Sequence, residues 1–213
     1  LWWRDDDAIA ATRALARLLS LAGPVPLALA VIPETAEEGL AETLRGRMNV
    51  TVMQHGWSHT NHGGAGKKSE FPAQRPAAEV EPDLRRGRER LLDLFGDAAP
   101  VLAPPWNRFA PEFETLLSRA GIAALSAMWS RPPGIAARVD AHVDLVAWKA
   151  GRGFVGTAAA LAGVVSELQR RRLGEAAGPT GILTHHLIKD DATADCAPEL
   201  AAQGERAEHG ANR

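Results

Sequence analysis

The residues of this sequence that could do chemistry fall into four polar clusters, each directly after a short apolar run. The clusters are Arg4-Asp5-Asp6-Asp7, His55-Gly56-Trp57-Ser58-His59, Pro104-Pro105-Trp106-Asn107 and His185-His186. The apolar runs have the length and composition of buried β-strands. In a βα barrel the carboxyl ends of the strands converge on one face, so residues far apart in sequence can meet there. The pattern therefore predicts a single pocket built from all four clusters.

Three consecutive aspartates and a histidine pair indicate a bound cation. Carboxylates crowded at a strand end repel one another, and a metal ion would keep them ionised; the alternative is that they cap a helix. His55 and His59 are four residues apart, which on one helical turn places the imidazoles about 6 Å apart. Two histidines and one carboxylate leave metal coordination positions open for water and substrate. His62 is a further candidate nitrogen ligand, and solvated loop histidines are the alternative.

The clusters lie in an alternation of apolar runs and amphipathic segments that is typical of βα units. Strands are predicted at residues 1–4, 27–32, 49–53, up to about 102, 122–127, 143–148 and 181–184. Helices are predicted at residues 10–22, 34–45, 77–95, 111–120 and 157–173. We therefore expect an α/β fold, a distorted barrel of six or seven units, with a long functional loop from about residue 55 to 76.

Length and composition exclude several other classes of protein. The 213 residues suit one large domain, which we place at residues 1–190, followed by a flexible tail at 191–213 where large apolar residues become rare. A formal net charge of −2 provides no field for binding nucleic acid. No apolar run approaches the roughly 20 residues of a membrane span. With one cysteine and no recognisable signal peptide, a cytoplasmic location is favoured, although the chain begins without methionine.

The motifs resemble, in type and order, those of the polysaccharide deacetylases, carbohydrate esterase family four. The shared features are the Asp-Asp strand end, the H-x-x-x-H pair, the Pro-Pro-aromatic turn and a late Leu183-Thr184-His185, spread over about residues 1–190. The resemblance implies a NodB-type distorted βα barrel. It also implies metal-dependent removal of N- or O-linked acetyl groups from an acetylated carbohydrate.

The resemblance further implies roles for individual residues. In the first of two alignments, Asp5 is the general base and Asp6 is a metal ligand; in the second, Asp6 is the base and Asp7 is the ligand. In both, His55 and His59 complete the metal site and His185 is the general acid. The divalent metal would be Zn²⁺ first, with Co²⁺, Ni²⁺ or Mn²⁺ as alternatives.

The third cluster and the tryptophans would contact the substrate. A backbone N–H near Trp106 would stabilise the oxyanion, and Trp57, Pro105 and Asn107 would bind the sugar. Tryptophan faces can stack on sugar rings, but they also fill cores. The core interpretation is favoured for the four other tryptophans, Trp2, Trp3, Trp129 and Trp148.

The sequence leaves alternatives to a deacetylase function open. Ala103 stands where the family has an arginine that orients the catalytic aspartate, and Arg4 or Arg108 could replace it. Without a replacement, the chain would be a catalytically inactive sugar-binding relative. A metal-dependent amidase on the same scaffold is the other alternative.

The family's fourth motif, an Asp and Trp beside the catalytic histidine, matches the segment from Asp144 to Trp148, with Asp140 and His142 as nearby alternatives.

Overall fold

A computed structural model describes residues 1–128, 136–176 and 178–188 of the chain. The strands are β1 (Trp2–Ala8), β2 (Leu27–Val31), β3 (Val50–His55), β4 (Val101–Ala103), β5 (Ala124–Leu125), β6 (Ala137–Arg138), β7 (Val143–Asp144) and β8 (Gly181–Thr184). The helices are α1 (Arg13–Ala22), α2 (Glu38–Leu44), α3 (Ala77–Phe95), α4 (Glu114–Arg119) and α5 (Thr157–Arg172). None of the helices in these residues is long and apolar enough to cross a membrane.

The eight strands of the described residues form one parallel sheet that curls into an open barrel. Their order is β6-β5-β4-β3-β2-β1-β8-β7, so the first strand of the chain lies inside the sheet, between β2 and β8. The predicted distorted α/β barrel is therefore confirmed. The two-residue strand β6 was not predicted, because a segment this short carries no periodic apolar pattern.

Predicted and observed elements agree best where the apolar spacing is regular. Helix α3 and strand β8 have the predicted bounds. Strand β1 is longer than predicted, because it continues through the three aspartates to Ala8. The strand predicted at 143–148 is shorter and covers only β7. The predicted tail at 191–213 lies outside the described residues.

On the outer side of the sheet, buried apolar side chains from the strands, helices and loops form two clusters. One cluster includes Trp3, Leu29 and Leu40, and a second includes Phe71 and Leu84. Trp3 thus lies in the core as predicted, and Trp2 is partly buried. The core prediction for Trp148 is wrong, because this residue is 46% exposed and lines a cavity. Trp129 lies outside the described residues.

The inner face of the barrel carries small side chains. Ala30 and Ala103 pack there with Met53, next to Trp2 and Ala28. Because successive side chains of a strand alternate between faces, the Arg4 and Asp6 side chains lie on the same inner face as Trp2. The small neighbours leave room for these polar groups inside the barrel.

Gly87 places α3 directly against β3, which gives a test of the packing. A Cβ at this position would lie 2.2 Å from Nε2 of Gln54, the atom that donates to the carbonyls of Gly56 and Leu84 at 3.0 and 3.1 Å. We expect Gly87→Ala to lower the free energy of unfolding by about 1–3 kcal/mol, because the buried amide must move. Urea denaturation measures the change.

Gly39→Ala is the matched control, because no atom lies within 4 Å of the added Cβ in α2. It should leave stability unchanged or raise it by up to about 1 kcal/mol, since alanine favours helix over glycine. Equal destabilisation by both substitutions would contradict the packing described for Gly87.

Candidate active site

The carboxyl ends of the strands surround a cavity of about 700 Å³. All four predicted clusters contribute to its lining, through Asp6, Asp7, His55, His59, Trp106, Asn107 and His185. A cavity of this size falls within the range of small-molecule sites. The convergence of strand ends expected from the sequence therefore occurs.

Asp7, His55 and His59 form a group that could hold a metal ion. One ligand atom from each residue lies within 4.8 Å of the others. Oδ1 of Asp7 is 3.1 Å from Nε2 of His55 and 3.3 Å from Nε2 of His59. Nδ1 of His55 is 2.9 Å from the carbonyl oxygen of Ala103, a contact that fixes the ring and directs Nε2 toward the cavity. The donor set fits a divalent cation with open coordination positions.

The electrostatics of this group also suit a cation. Burial is the largest influence on Asp7 and raises its pKa. Hydrogen bonds from His55 and His59, with the charges of His55 and His185, outweigh burial and hold the pKa of Asp7 well below its usual range. For His55, burial is again the largest influence and lowers the pKa. The charges of Asp6 and Asp7 outweigh it, so the pKa of His55 is raised. The cavity thus stabilises positive charge at the position where a metal would bind.

Asp6 lies beside this group and is paired with an arginine. Its Oδ2 accepts a hydrogen bond from Nη2 of Arg4 at 3.0 Å, and its Oδ1 is 2.9 Å from Nε of Arg4. The same Oδ2 is 3.9 Å from Nε2 of His185. The group that could hold a metal ion thus contains Asp7, the ligand of the second alignment, while Asp6 lies next to it.

A β-bulge explains why consecutive aspartates can share the cavity. The register between β1 and β2 shifts between Asp5 and Ala8, and Asp7 has a φ of 72°. In a regular strand Asp6 and Asp7 would point to opposite faces of the sheet. The bulge instead turns both side chains toward the cavity.

Asp5, expected as the base in the first alignment, does not line the cavity. It is fully buried on the opposite face of β1, where its carboxylate accepts a hydrogen bond from Oγ1 of Thr184 at 2.6 Å and contacts Nδ1 of His186. Nε1 of Trp3 donates to the same threonine hydroxyl at 2.7 Å. Burial lowers the pKa of His186, but the charge of Asp5 outweighs it and raises that pKa. These residues join β1 to β8 and keep Asp5 away from the cavity.

His185 follows β8 and faces the cavity next to Trp148. The two ring centroids are 4.8 Å apart in an edge-on arrangement. Nε1 of Trp148 donates to Oδ2 of Asp144 at 2.7 Å, and both residues line the cavity. Burial is the largest influence on Asp144 and raises its pKa. The segment matched to the family's fourth motif thus lies beside His185.

The two alternatives to this segment, Asp140 and His142, form ion pairs outside the cavity. Asp140 pairs with Arg138 at 2.9 Å, and Nε2 of His142 is 3.5 Å from Oε1 of Glu167. Neither Asp140 nor His142 is among the cavity-lining residues.

Three other residues expected at the site also lie outside the cavity lining: Trp57, Pro105 and His62. The guanidinium of Arg86 covers the ring of Trp57, 4.7 Å from its centroid. Pro105 is buried next to Gly56, where an added Cβ would lie 2.7 Å from Cγ of the proline. Trp106, by contrast, lies in the cavity with its ring centroid 4.3 Å from that of His59.

Glu70, which the sequence analysis did not identify, holds the loop that carries His59. Its buried carboxylate accepts hydrogen bonds from the backbone N–H groups of Trp57 and Ser58 at 3.0 and 2.9 Å. Burial, the largest influence, raises the pKa of Glu70. A Cβ on Gly56 would lie 1.9 Å from Oε2 of Glu70, so only glycine fits there. An acidic residue in a polar loop gives no sequence signal of such burial.

Strained backbone is concentrated around the cavity. In the described part of the chain, the non-glycine residues with positive φ are Asp7, His59, Trp106, Asn107 and Arg152, and all five line the cavity. Such conformations cost on the order of 1–3 kcal/mol each and cluster at functional sites. The strain is therefore an independent reason to treat this cavity as the candidate functional site.

No family model and no curated protein matches the sequence, but solved structures share its fold. A family 4 carbohydrate esterase from Streptomyces lividans in complex with acetate has a TM-score of 0.63 and 14% identity, over 95% of this chain and 85% of that one. A family 4 acetyl xylan esterase from Clostridium thermocellum with a cobalt ion has a TM-score of 0.62 and 13% identity, over 97% and 83%.

A family 4 pseudoenzyme from Bacillus anthracis also shares the fold, with a TM-score of 0.62 and 14% identity over 96% of this chain and 60% of that one. At these identities the likeness concerns the fold. The chain has the distorted barrel of the NodB-type polysaccharide deacetylases.

The support of the histidine loop by Glu70 can be tested through metal affinity. Glu70→Ala should weaken zinc binding about 10- to 100-fold, as for other residues that orient metal ligands, because two backbone N–H groups lose their acceptor and the loop with His59 loosens. Glu70→Gln keeps an acceptor oxygen and should retain most of the affinity. Competition with a zinc-sensitive dye measures both variants, and wild-type affinity in Glu70→Ala would contradict this role.

Proposed function

We propose that this protein is a metal-dependent hydrolase that removes acetyl groups from a carbohydrate. The observation that carries the proposal is one cavity shared by a metal-ligand triad, an arginine-paired carboxylate and a histidine. The fold supports it, since proteins with the same fold include one esterase structure in complex with acetate and one with a cobalt ion.

In this proposal, Asp7, His55 and His59 hold a divalent metal ion. The bound ion would lower the pKa of a water molecule toward neutrality and polarise the acetyl carbonyl. Zinc suits two histidines and a carboxylate, and cobalt, nickel or manganese suits the same donors.

The protein's own residues would move the protons. Asp6 accepts a proton from the attacking water, and its pairing with Arg4 orients the carboxylate. His185, 3.9 Å from Asp6, donates a proton to the departing amine or hydroxyl. A backbone N–H near Trp106 stabilises the developing oxyanion, where one donor typically contributes about 3 kcal/mol.

Arg4 takes the place of the arginine that the family has where this chain has Ala103. The Arg4 side chain is fully buried, and besides Asp6 it donates to Oδ1 of Asn107 at 2.6 Å and to the carbonyl of Ser126 at 2.9 Å. These partners hold the guanidinium in one position. The absence of arginine at position 103 therefore does not leave the base without a cationic partner.

The proposal is tested first by metal content and acetate release. The purified protein should bind one equivalent of zinc and release acetate from chitooligosaccharide and from a small acetate ester only when metal is present. His55→Ala should lose both properties, whereas His62→Ala, outside the cavity lining, should keep them. Metal without acetate release would favour the inactive sugar-binding or amidase alternatives, and failure to bind metal after reconstitution would contradict the proposed site.

The role of Arg4 is tested by moving the arginine. Arg4→Ala should lower kcat about 100-fold while zinc stoichiometry is retained, because general base catalysis is worth roughly 10²–10⁴-fold. Adding Ala103→Arg to that variant should restore part of kcat, since both side chains lie on the inner face of the barrel. If the double variant is folded and loaded with zinc but recovers no kcat, the proposal that Arg4 replaces an arginine at position 103 is contradicted.

A further inference from the structure

Three basic side chains line the cavity in addition to the candidate catalytic residues: Lys68, Arg108 and Arg152. Nη1 of Arg108 donates to the carbonyl of Lys68 at 2.7 Å, and Nζ of Lys68 is 5.9 Å from the centroid of the Trp106 ring. Arg152 comes from a separate turn after β7. Three segments that are distant from one another in sequence therefore bring positive charge to the same cavity.

These cations have no acidic partner among the described residues, whereas each acid in the cavity is satisfied. Asp6 is paired with Arg4, and Asp7 lies between the two histidines. Asp144 accepts hydrogen bonds from the indole of Trp148 and from a backbone N–H. With a divalent ion bound, the remaining field in the cavity is positive and favours an anion.

Arg152 lies in a turn with an unusual backbone conformation. Its φ is 62°, and the turn is closed by hydrogen bonds from Ala147 N to Gly153 O at 2.8 Å and from Arg152 N to Ala147 O at 3.1 Å. The other four residues with such a backbone belong to the predicted clusters. Arg152 and Lys149, in the same turn, are both exposed, but only Arg152 lines the cavity. The turn thus directs one of its two cations to the site.

We propose that the acetylated sugar carries an anionic group, a carboxylate or a phosphate, and that Arg152, with Lys68 and Arg108, binds this group. A guanidinium can contact two oxygens of either group at once, which makes arginine well suited to this task. This inference rests on the proposed deacetylase function and adds the substrate class.

Matched substrate pairs test the inference with the zinc-loaded full chain. The first pair is a peptidoglycan oligosaccharide with free or methyl-esterified lactyl carboxylates, and the second is O-acetylated oligogalacturonate, free or methyl-esterified. The third is N-acetylglucosamine 6-phosphate against N-acetylglucosamine. In one pair, the kcat/KM for acetate release should be at least about fivefold higher for the charged member than for the neutral one. Which pair shows this preference tells whether the anionic group is a carboxylate or a phosphate.

Two variants assign the effect to the turn after β7. Arg152→Gln should lower kcat/KM for the charged member to that of its neutral counterpart, whereas Lys149→Gln should keep the preference. Added salt should reduce the preference in the unmodified protein, because it screens an exposed charge.

The possible failures are distinguishable. Equal kcat/KM within every pair would overturn the inference and leave the deacetylase proposal standing. A preference that survives in Arg152→Gln would overturn the role of Arg152. If no probe releases acetate, including a small neutral acetate ester, the proposed function fails and this inference fails with it.

Discussion

The buried ion pair between Arg4 and Asp6 is the interaction on which the rest of the site depends. An unpaired charge inside the barrel would cost several kcal/mol, so the guanidinium must find its oxygen partners. It does so at Asp6 on β1, at Asn107 after β4 and at Ser126 after β5. One side chain thereby fixes the relative positions of three strand ends. The small inner-face residues, Ala103 among them, provide the space it occupies.

The backbone around the cavity is strained, and the surrounding fold holds it in place. The bulge at Asp7 lies in a strand paired on both sides, and His59 lies on a loop anchored by Glu70. Both of these strained residues are thus next to an element with its own hydrogen bonds. Such supporting structure is what allows a site to keep a geometry that its local sequence would not adopt alone.

The sequence predicted the barrel and the convergence of the four clusters, because apolar runs and the residues after them can be recognised along the chain. It could not decide which aspartate joins the histidines, since the bulge at Asp7 breaks the alternation on which side-chain direction is predicted. It also missed Glu70 and Arg152. In sequence, both residues come well after the preceding strand has ended, and no local pattern distinguishes them from solvated charges.

The pairing of β1 with β8 has a consequence for how the protein is made. Trp3 and Thr184, whose side chains hydrogen-bond across these strands, are 181 residues apart in sequence. A chain still emerging from the ribosome therefore carries its three aspartates on a strand with one open edge, which is free to pair with other chains. Contacts of such long range also form slowly. The charged centre can therefore be completed only after β8 has been synthesised.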